Sequence, residues 1–381
     1  MASGLLQGHV DPRFEPLMDV IEGNLASGAE CGLSVTVDVD GRTVVDVYGG
    51  FADEARTRPW ERDTIVNVWS TTKTVTSLAV LMLADRGLID LDAPVASYWP
   101  DFAANGKEQV LVRHVMSHCS GVSGWNAPFA FTDMYDLERS TALLAAQAPW
   151  WEPGTASGYH ALNYGHLLGE IVRRVSGKSL TEFVATEIAG PLDADFQIGA
   201  KKSDWVRCAE IIPPPPLPFD MSTIDPASVL AKTAAGPAAD AAAANTEGWR
   251  RAEVGAANGH GNAASVARVL SAVTLGGATD GVRLLSQETI EHVFREQIHG
   301  VDLFLGALIR WGIGYGLPEP ASIPSIPEGK ICFWGGWGGS VIIMDLDRRT
   351  TISYMMNKMQ PGIIGSDNAN AYISAVYKLL G

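Results

Sequence analysis

Segments able to form antiparallel hairpins lie at opposite ends of this 381-residue chain. Near the N-terminus, Leu33-Ser-Val-Thr-Val-Asp-Val39 alternates apolar and polar residues. Asp40-Gly41 then turns the chain into Thr43-Val-Val-Asp-Val-Tyr48, the pattern of a two-residue hairpin. Near the C-terminus, Ser340-Val-Ile-Ile-Met344 and Thr350-Thr-Ile-Ser-Tyr-Met-Met356 flank the polar turn Asp345–Arg349, and Ala369–Leu380 has helical apolar spacing. Strands separated so widely in sequence are buried most economically in one sheet. The pattern therefore predicts a discontinuous α/β (α+β) domain, with an antiparallel sheet flanked by helices.

Between the two ends the periodicity is helical: Ser70–Arg86 stopped by Gly87, Val112–Ser117, Ala142–Gln147, Tyr164–Val175 stopped by Gly177, Leu180–Ile188, and Ala263–Val273 leading back to the sheet. The predicted division is a sheet domain from residues 1–90 and 250–381 and an inserted, mainly helical domain from 91–249. Ile211-Ile-Pro-Pro-Pro-Pro-Leu-Pro218 excludes helix and central strand, and Ala231–Asn245 is rich in alanine, which favours helix. Residues 205–250 thus read either as an excursion over the mouth of a site or as a plain surface connection.

Composition removes several classes of function. Lys and Arg number 28 against 43 Asp and Glu, a net charge of -15, and no basic run carries interleaved aromatics, so a nucleic-acid partner is not expected. No uninterrupted apolar run reaches about 18 residues, and Met1–Pro16 lacks a basic region followed by an apolar one. The expectation is a cytoplasmic protein without a membrane partner. Cys31, Cys119, Cys208 and Cys332 have no paired spacing and read as reduced, buried thiols. His114 and His118 stand at i, i+4 without the glutamate of His-Glu-x-x-His, so neither metal nor cofactor is expected.

Ser70-Thr-Thr-Lys73 opens the first long helical stretch. On a helix, positions i and i+3 share a face, which brings a serine hydroxyl within reach of an amine. A lysine becomes a base for that hydroxyl if burial or a nearby cation lowers its pKa. Such a tetrapeptide arises by chance roughly once in a chain of this length, so its context decides. Downstream, Glu152–Gly169 places Tyr159 in a glycine-bounded loop, where an adjacent ammonium would make the phenol more acidic. Farther on, Trp334-Gly335-Gly336-Trp337-Gly338-Gly339-Ser340 precedes a strand, and glycines there let backbone N–H groups approach a ligand as an oxyanion hole requires. There is no Gly-x-Ser-x-Gly elbow.

In this order and spacing the three motifs resemble the serine β-lactamase and penicillin-recognising superfamily, in its class C β-lactamase-like branch and nearest to family VIII carboxylesterases. Val112-Arg-His-Val-Met-Ser-His-Cys-Ser-Gly121 is similar to the family's "vRHLLtHtSGl", Pro153-Gly154 through Leu167-Leu-Gly169 to its "PG..YSNtNY.LLG", Gly259–Arg268 to its "G.GtArslAR", and Trp311–Leu317 to its "GlGfgl" strand. The resemblance runs from about residue 15 to the C-terminus and implies a β-lactamase/transpeptidase-like fold. It also implies an acyl-enzyme on Ser70, with Lys73 and Tyr159 sharing proton transfer in a division the sequence leaves open. The oxyanion hole would be the backbone N–H groups of Ser70 and Trp337.

Two departures shift the expected substrate. The family's Tyr-x-Asn reads Tyr159-His160-Ala161, and its Lys-Thr-Gly or His-x-Gly reads Trp334-Gly335-Gly336. The first loses a carboxamide and the second a cation for a substrate carboxylate. Substrate contacts are expected from Trp334, Gly335, Gly336, Trp69 and His160, the last of which, adjoining Tyr159, either tunes it or packs. The resemblance implies an esterase acting on a small, largely neutral ester or acyl donor. Acyl transfer to an amine or alcohol is the alternative, followed by weak β-lactamase or peptidase action and by a binding module without catalysis. Oligomeric state is left open.

Overall fold

The computed structural model describes residues 6–215 and 224–381. Its framework is a nine-stranded antiparallel sheet in the order Leu6–Val10, Arg42–Gly50, Gly32–Val39, Thr350–Met356, Val341–Asp345, Ile331–Gly335, Gly316–Leu317, Leu308–Trp311 and Ile298–Val301. The strands from the two chain ends meet where Gly32–Val39 pairs with Thr350–Met356, Val35 lying opposite Tyr354. Asp40 and Gly41 both have positive φ, 52° and 76°, as a type I′ hairpin turn requires. The predicted second hairpin is present too, with Val341 opposite Tyr354.

Strand alternation divides the helices between the two faces of the sheet. Thr351 Oγ1 bonds Thr274 of helix Ala263–Thr274 at 2.7 Å. Tyr354, three residues along and so on the opposite face, packs on Tyr372 of helix Asp367–Leu380. Helix Glu15–Ser27 lies beside that C-terminal helix. Helix Thr72–Asp85 is buried from Thr72 through Leu83, which marks a central helix packed on all sides. It packs on helix Tyr164–Ser176 of the middle region, and the Tyr315 hydroxyl, at the turn into the sheet strand Gly316–Leu317, donates to the carbonyl of Thr74 at 2.9 Å.

Several segments differ from the sequence pattern for identifiable reasons. Residues 311–317 are not one strand: Gly312 N–H bonds the Tyr315 carbonyl at 3.0 Å and Gly314 has φ 85°, so the segment is a hairpin turn between Leu308–Trp311 and Gly316–Leu317. The expected helix 142–147 begins earlier, as Leu137–Ala146, because Asp136 caps it by accepting the N–H of Arg139. Leu180–Phe183 widens into a π-helical turn over Val184–Ala189. The alanine-rich stretch forms helix Val229–Ala235, stops at Gly236-Pro237, and resumes as a short 3-10 segment, Ala241–Asn245. Part of the proline run, residues 216–218, falls outside the described residues. Ile212, just ahead of it, exchanges backbone bonds with Asn357 and Met359 at 2.8 and 3.0 Å. All four cysteines are free and buried, and among the described residues no helix is long and apolar enough to cross a membrane.

One ionisable group is sealed beneath the C-terminal helix. Glu30 accepts from Asn368 Nδ2 at 2.8 Å, from Tyr372 at 3.1 Å and from the Tyr354 hydroxyl. Burial nevertheless outweighs these donors and raises its carboxyl to about 7. A carboxyl whose folded pKa lies above its unfolded value of 4.5 contributes stability that is fully present below pH 4.5 and lost as pH rises through 7. The wild type should therefore lose stability between pH 4.5 and 8, on the order of 3 kcal/mol. Glu30→Gln should show a markedly flatter dependence in urea unfolding at the two pH values.

Candidate active site

Ser70 lies in the turn ahead of helix Thr72–Asp85 rather than within it. The turn is tight: Thr71, Thr72 and Lys73 donate their N–H groups to the carbonyls of Val68, Trp69 and Ser70 at 3.2, 2.9 and 3.0 Å. Trp69 carries the strain, with φ 48° in the left-handed region. Its indole is held between Trp249 and Trp337, at centroid distances of 5.7 and 5.2 Å. From below, Gly259 donates its N–H to Thr72 Oγ1 at 2.8 Å. The serine that results is 8% exposed.

Lys73 reaches Ser70 from the first turn of the helix. Its Nζ lies 2.9 Å from Ser70 Oγ and 2.8 Å from each of the carbonyl oxygens of Ala161 and Ala256. Among the described residues no carboxylate is bonded to it, and burial holds the amine well below the ordinary lysine range. Two of the three directions around the nitrogen are taken by N–H bonds to the carbonyls, and the third faces the serine hydroxyl.

Tyr159 is buried beside this pair, with Lys73 Nζ 4.7 Å from its ring centroid. The expectation that an ammonium would acidify the phenol is reversed. Burial pushes the phenol above its ordinary range, with the hydroxyl of Ser70 and the indole N–H of Trp334 pulling the other way. Desolvation costs the phenolate more than these neighbours return. The ring packs on His118 at 4.8 Å and lies nearly parallel to Trp311, 6.1 Å between centroids. Its backbone N–H is accepted by Asp302 Oδ1 at 3.0 Å.

The tryptophan-glycine segment closes the other side. Trp334 Nε1 donates to the Tyr159 hydroxyl at 2.8 Å. Gly335 and Trp337 are half-buried. Gly336 is pressed so closely on the nucleophile turn that a Cβ there would overlap the Val68 carbonyl oxygen and Ser340 Oγ. Ser340 Oγ in turn donates to the Val68 carbonyl at 2.8 Å and lies 3.0 Å from Thr71 Oγ1. Among the described residues, neither the Ser70 nor the Trp337 backbone N–H has a hydrogen-bond partner, leaving both available to an incoming oxygen.

His160 is a correction. It is fully buried, with Nδ1 donating to the Gly158 carbonyl at 2.7 Å and Nε2 accepting from Ser120 at 2.6 Å. Burial lowers it to about 3, so it is a neutral packing residue and not a substrate contact. Its backbone N–H donates to His118 Nδ1 at 3.1 Å. The i, i+4 relation of His114 and His118 is also broken, since the helix ends at Met116 and His118 has φ 62°. Among the described residues no cluster of His, Cys, Asp or Glu is arranged to hold a metal. Asp302, Trp311 and the Ala161 and Ala256 carbonyls escaped the sequence reading. Two of the four act through backbone carbonyls, which leave no residue-type signal; Trp311 acts through its ring from within a segment read only as a strand, and Asp302 lies in no motif.

Comparison with known proteins places this geometry. A family model described as Beta-lactamase matches residues 12–375. The chain is 34% identical over 373 residues to the esterase/beta-lactamase LipL of Mycobacterium tuberculosis, spanning 95% of this chain and 85% of the relative. To the esterase EstB of Burkholderia gladioli it is 28% identical over 343 residues, 83% of each. A crystal structure of a family VIII carboxylesterase superposes with a TM-score of 0.92 at 39% identity, over 98% of this chain and 99% of that one. The chain belongs to the β-lactamase family and has its mixed α/β, transpeptidase-like fold. It is a serine hydrolase of the β-lactamase-like superfamily.

The contact between Gly336 and the nucleophile turn is open to direct measurement. Gly336→Ala should force the strand end and the turn apart, costing roughly 1–3 kcal/mol in urea unfolding.

Proposed function

We propose that this enzyme hydrolyses carboxylic esters of small, largely neutral substrates through an acyl-enzyme on Ser70. The observation that carries the reading is the buried Lys73 amine, whose two N–H bonds are taken by carbonyls and whose third direction meets Ser70 Oγ at 2.9 Å. An uncharged lysine in that position accepts the serine proton as the oxygen attacks the ester carbon. The backbone N–H groups of Ser70 and Trp337 stabilise the oxyanion of the tetrahedral intermediate. Tyr159, kept protonated by its burial, gives its proton to the departing alkoxide and recovers it from the Lys73 side. Water then attacks the acyl-enzyme by the reverse sequence.

Neutrality of the substrate is supported by Trp334. In the resemblance drawn from the sequence, this position carries a cation; here an indole donates to Tyr159 instead. A substrate carboxylate would find no charge of opposite sign at that point. The names of LipL and EstB, both called esterases, agree with this reading.

The test is turnover of p-nitrophenyl acetate and butyrate, with intact-mass detection of a phosphonate adduct on Ser70. Ser70→Ala should abolish both, and Tyr159→Phe should lower kcat by about 10²–10⁴-fold. Absence of turnover and of adduct in the wild type would sink the proposal.

The pH dependence follows from the depressed lysine. Activity requires the amine to be unprotonated, so kcat/KM should fall with decreasing pH through a value well below 10.5. It should hold a plateau on the alkaline side past pH 10, because the phenol is shifted upward. A pH–rate profile with an acid limb centred near 10 would contradict the assigned role of Lys73.

A further inference from the structure

The loop that joins the edge strand Ile298–Val301 to strand Leu308–Trp311 presents apolar side chains to solvent beside the site. Val301 is 64% exposed and Leu303 37%, and Phe304 and Leu305 are half-buried. Other large exposed apolar residues, Leu88, Leu143 and Val206, stand singly. Isolated cases are ordinary on any surface, whereas neighbouring ones on one loop mark a place that something covers.

This loop is held firmly against Tyr159. The buried Asp302 accepts the N–H groups of Tyr159, Phe304 and Leu305 on a single oxygen, each at 3.0 Å. Asp302 N–H bonds the Ala307 carbonyl at 2.9 Å, and Leu303 N–H bonds the Ser157 carbonyl at 2.8 Å. One carboxylate thus locks the loop and the Tyr159 backbone into a unit. The Phe304 ring lies 6.4 Å from the Tyr159 ring at an interplanar angle of 24°.

The direction of the proton transfer gives that placement its meaning. Tyr159 hands its proton to the oxygen of the departing alcohol, so the alcohol's carbon chain extends from the reacting centre on the Tyr159 side. Between residues 301 and 307 the lone charged group, Asp302, is buried and turned to the backbone. A charged or heavily hydroxylated alcohol would meet no partner there, while an alkyl or aryl group would be shielded from water. We propose that Val301, Leu303 and Phe304 bind the apolar alcohol portion of the ester, so that this loop sets leaving-group preference. The inference rests on the esterase reading above.

Two ester series test it. One keeps the acyl group as acetyl and lengthens the alcohol from methyl to hexyl; the other keeps methanol and lengthens the acyl group to hexanoyl. In the wild type kcat/KM should rise along the alcohol series. Leu303→Gln and Phe304→Ala should each reduce the hexyl-to-methyl ratio of kcat/KM about tenfold, chiefly through KM, and leave the ratio along the acyl series within twofold. Leu303→Gln alters an exposed side chain, and thermal melts establish that Phe304→Ala is folded. An unchanged alcohol ratio in the variants, or a loss that tracks acyl length, overturns the proposal. So does an unchanged ratio accompanied by a shift in oligomeric state or in binding to phosphatidylcholine vesicles, which would assign the patch to a partner surface. If the wild type turns over no ester and forms no phosphonate adduct, the esterase reading falls and this one with it; normal ester turnover with flat alcohol dependence removes this one alone.

Discussion

Lys73 is buried with no carboxylate bonded to it among the described residues, and the chain around it supplies two backbone carbonyls and the serine hydroxyl instead. Its three partners come from three separate segments: the nucleophile turn, the loop after Tyr159, and the return from the helical region at Ala256. Each of these must arrive with its backbone correctly placed. Helix Tyr164–Ser176 starts with Gly165 packed directly on the backbone of Gly255, a closeness that any side chain would prevent. That contact sets the neighbouring Ala256 carbonyl on the amine. A buried polar group with unmet partners is costly, so the lysine and the backbone that surrounds it specify one another.

The aromatic surroundings follow from the same constraint. His118, Trp311 and Trp334 exclude water from Tyr159, and the histidines next to it are kept neutral by burial. Burial and the nearby Asp302 carboxylate both disfavour a phenolate, so a neutral proton carrier fits such a place. The aromatic row Trp337, Trp69, Trp249 and Phe131 then braces the strained residue ahead of Ser70 from outside the reacting centre. This strain is stored next to the nucleophile, where an unusual φ is tolerated because the packing on both sides over-determines it.

The parts of this architecture that were legible in the sequence are those carried by side-chain type and period. The alternation around Asp40-Gly41, the apolar run after Lys73 and the ordered motifs at Ser70, Tyr159 and Trp334 all announce themselves in this way. What stayed hidden depends on backbone or on burial. The carbonyls of Ala161 and Ala256 have no signature. The direction of the Tyr159 shift cannot be read from its neighbours in sequence, because desolvation from distant segments outweighs them. His160 adjoins Tyr159 in the chain yet points into the packing against Ser120, since successive residues in an extended segment face opposite ways. The split of residues 311–317 into a hairpin turned on Gly314, where the local pattern allowed a continuous strand.

The pairing of Gly32–Val39 with Thr350–Met356 has a consequence for how the molecule is made. The hairpin Gly32–Gly50 emerges from the ribosome well before Thr350–Met356, the neighbour that covers its open edge. Until then, the valine-rich strand Gly32–Val39 stands with unpaired backbone groups, the arrangement most apt to recruit other chains. Closure of the sheet is also a contact between remote parts of the sequence, which makes it intrinsically slow. The order of synthesis therefore leaves the nascent chain exposed to misassembly until that distant strand arrives, and chaperone protection would matter most at this edge.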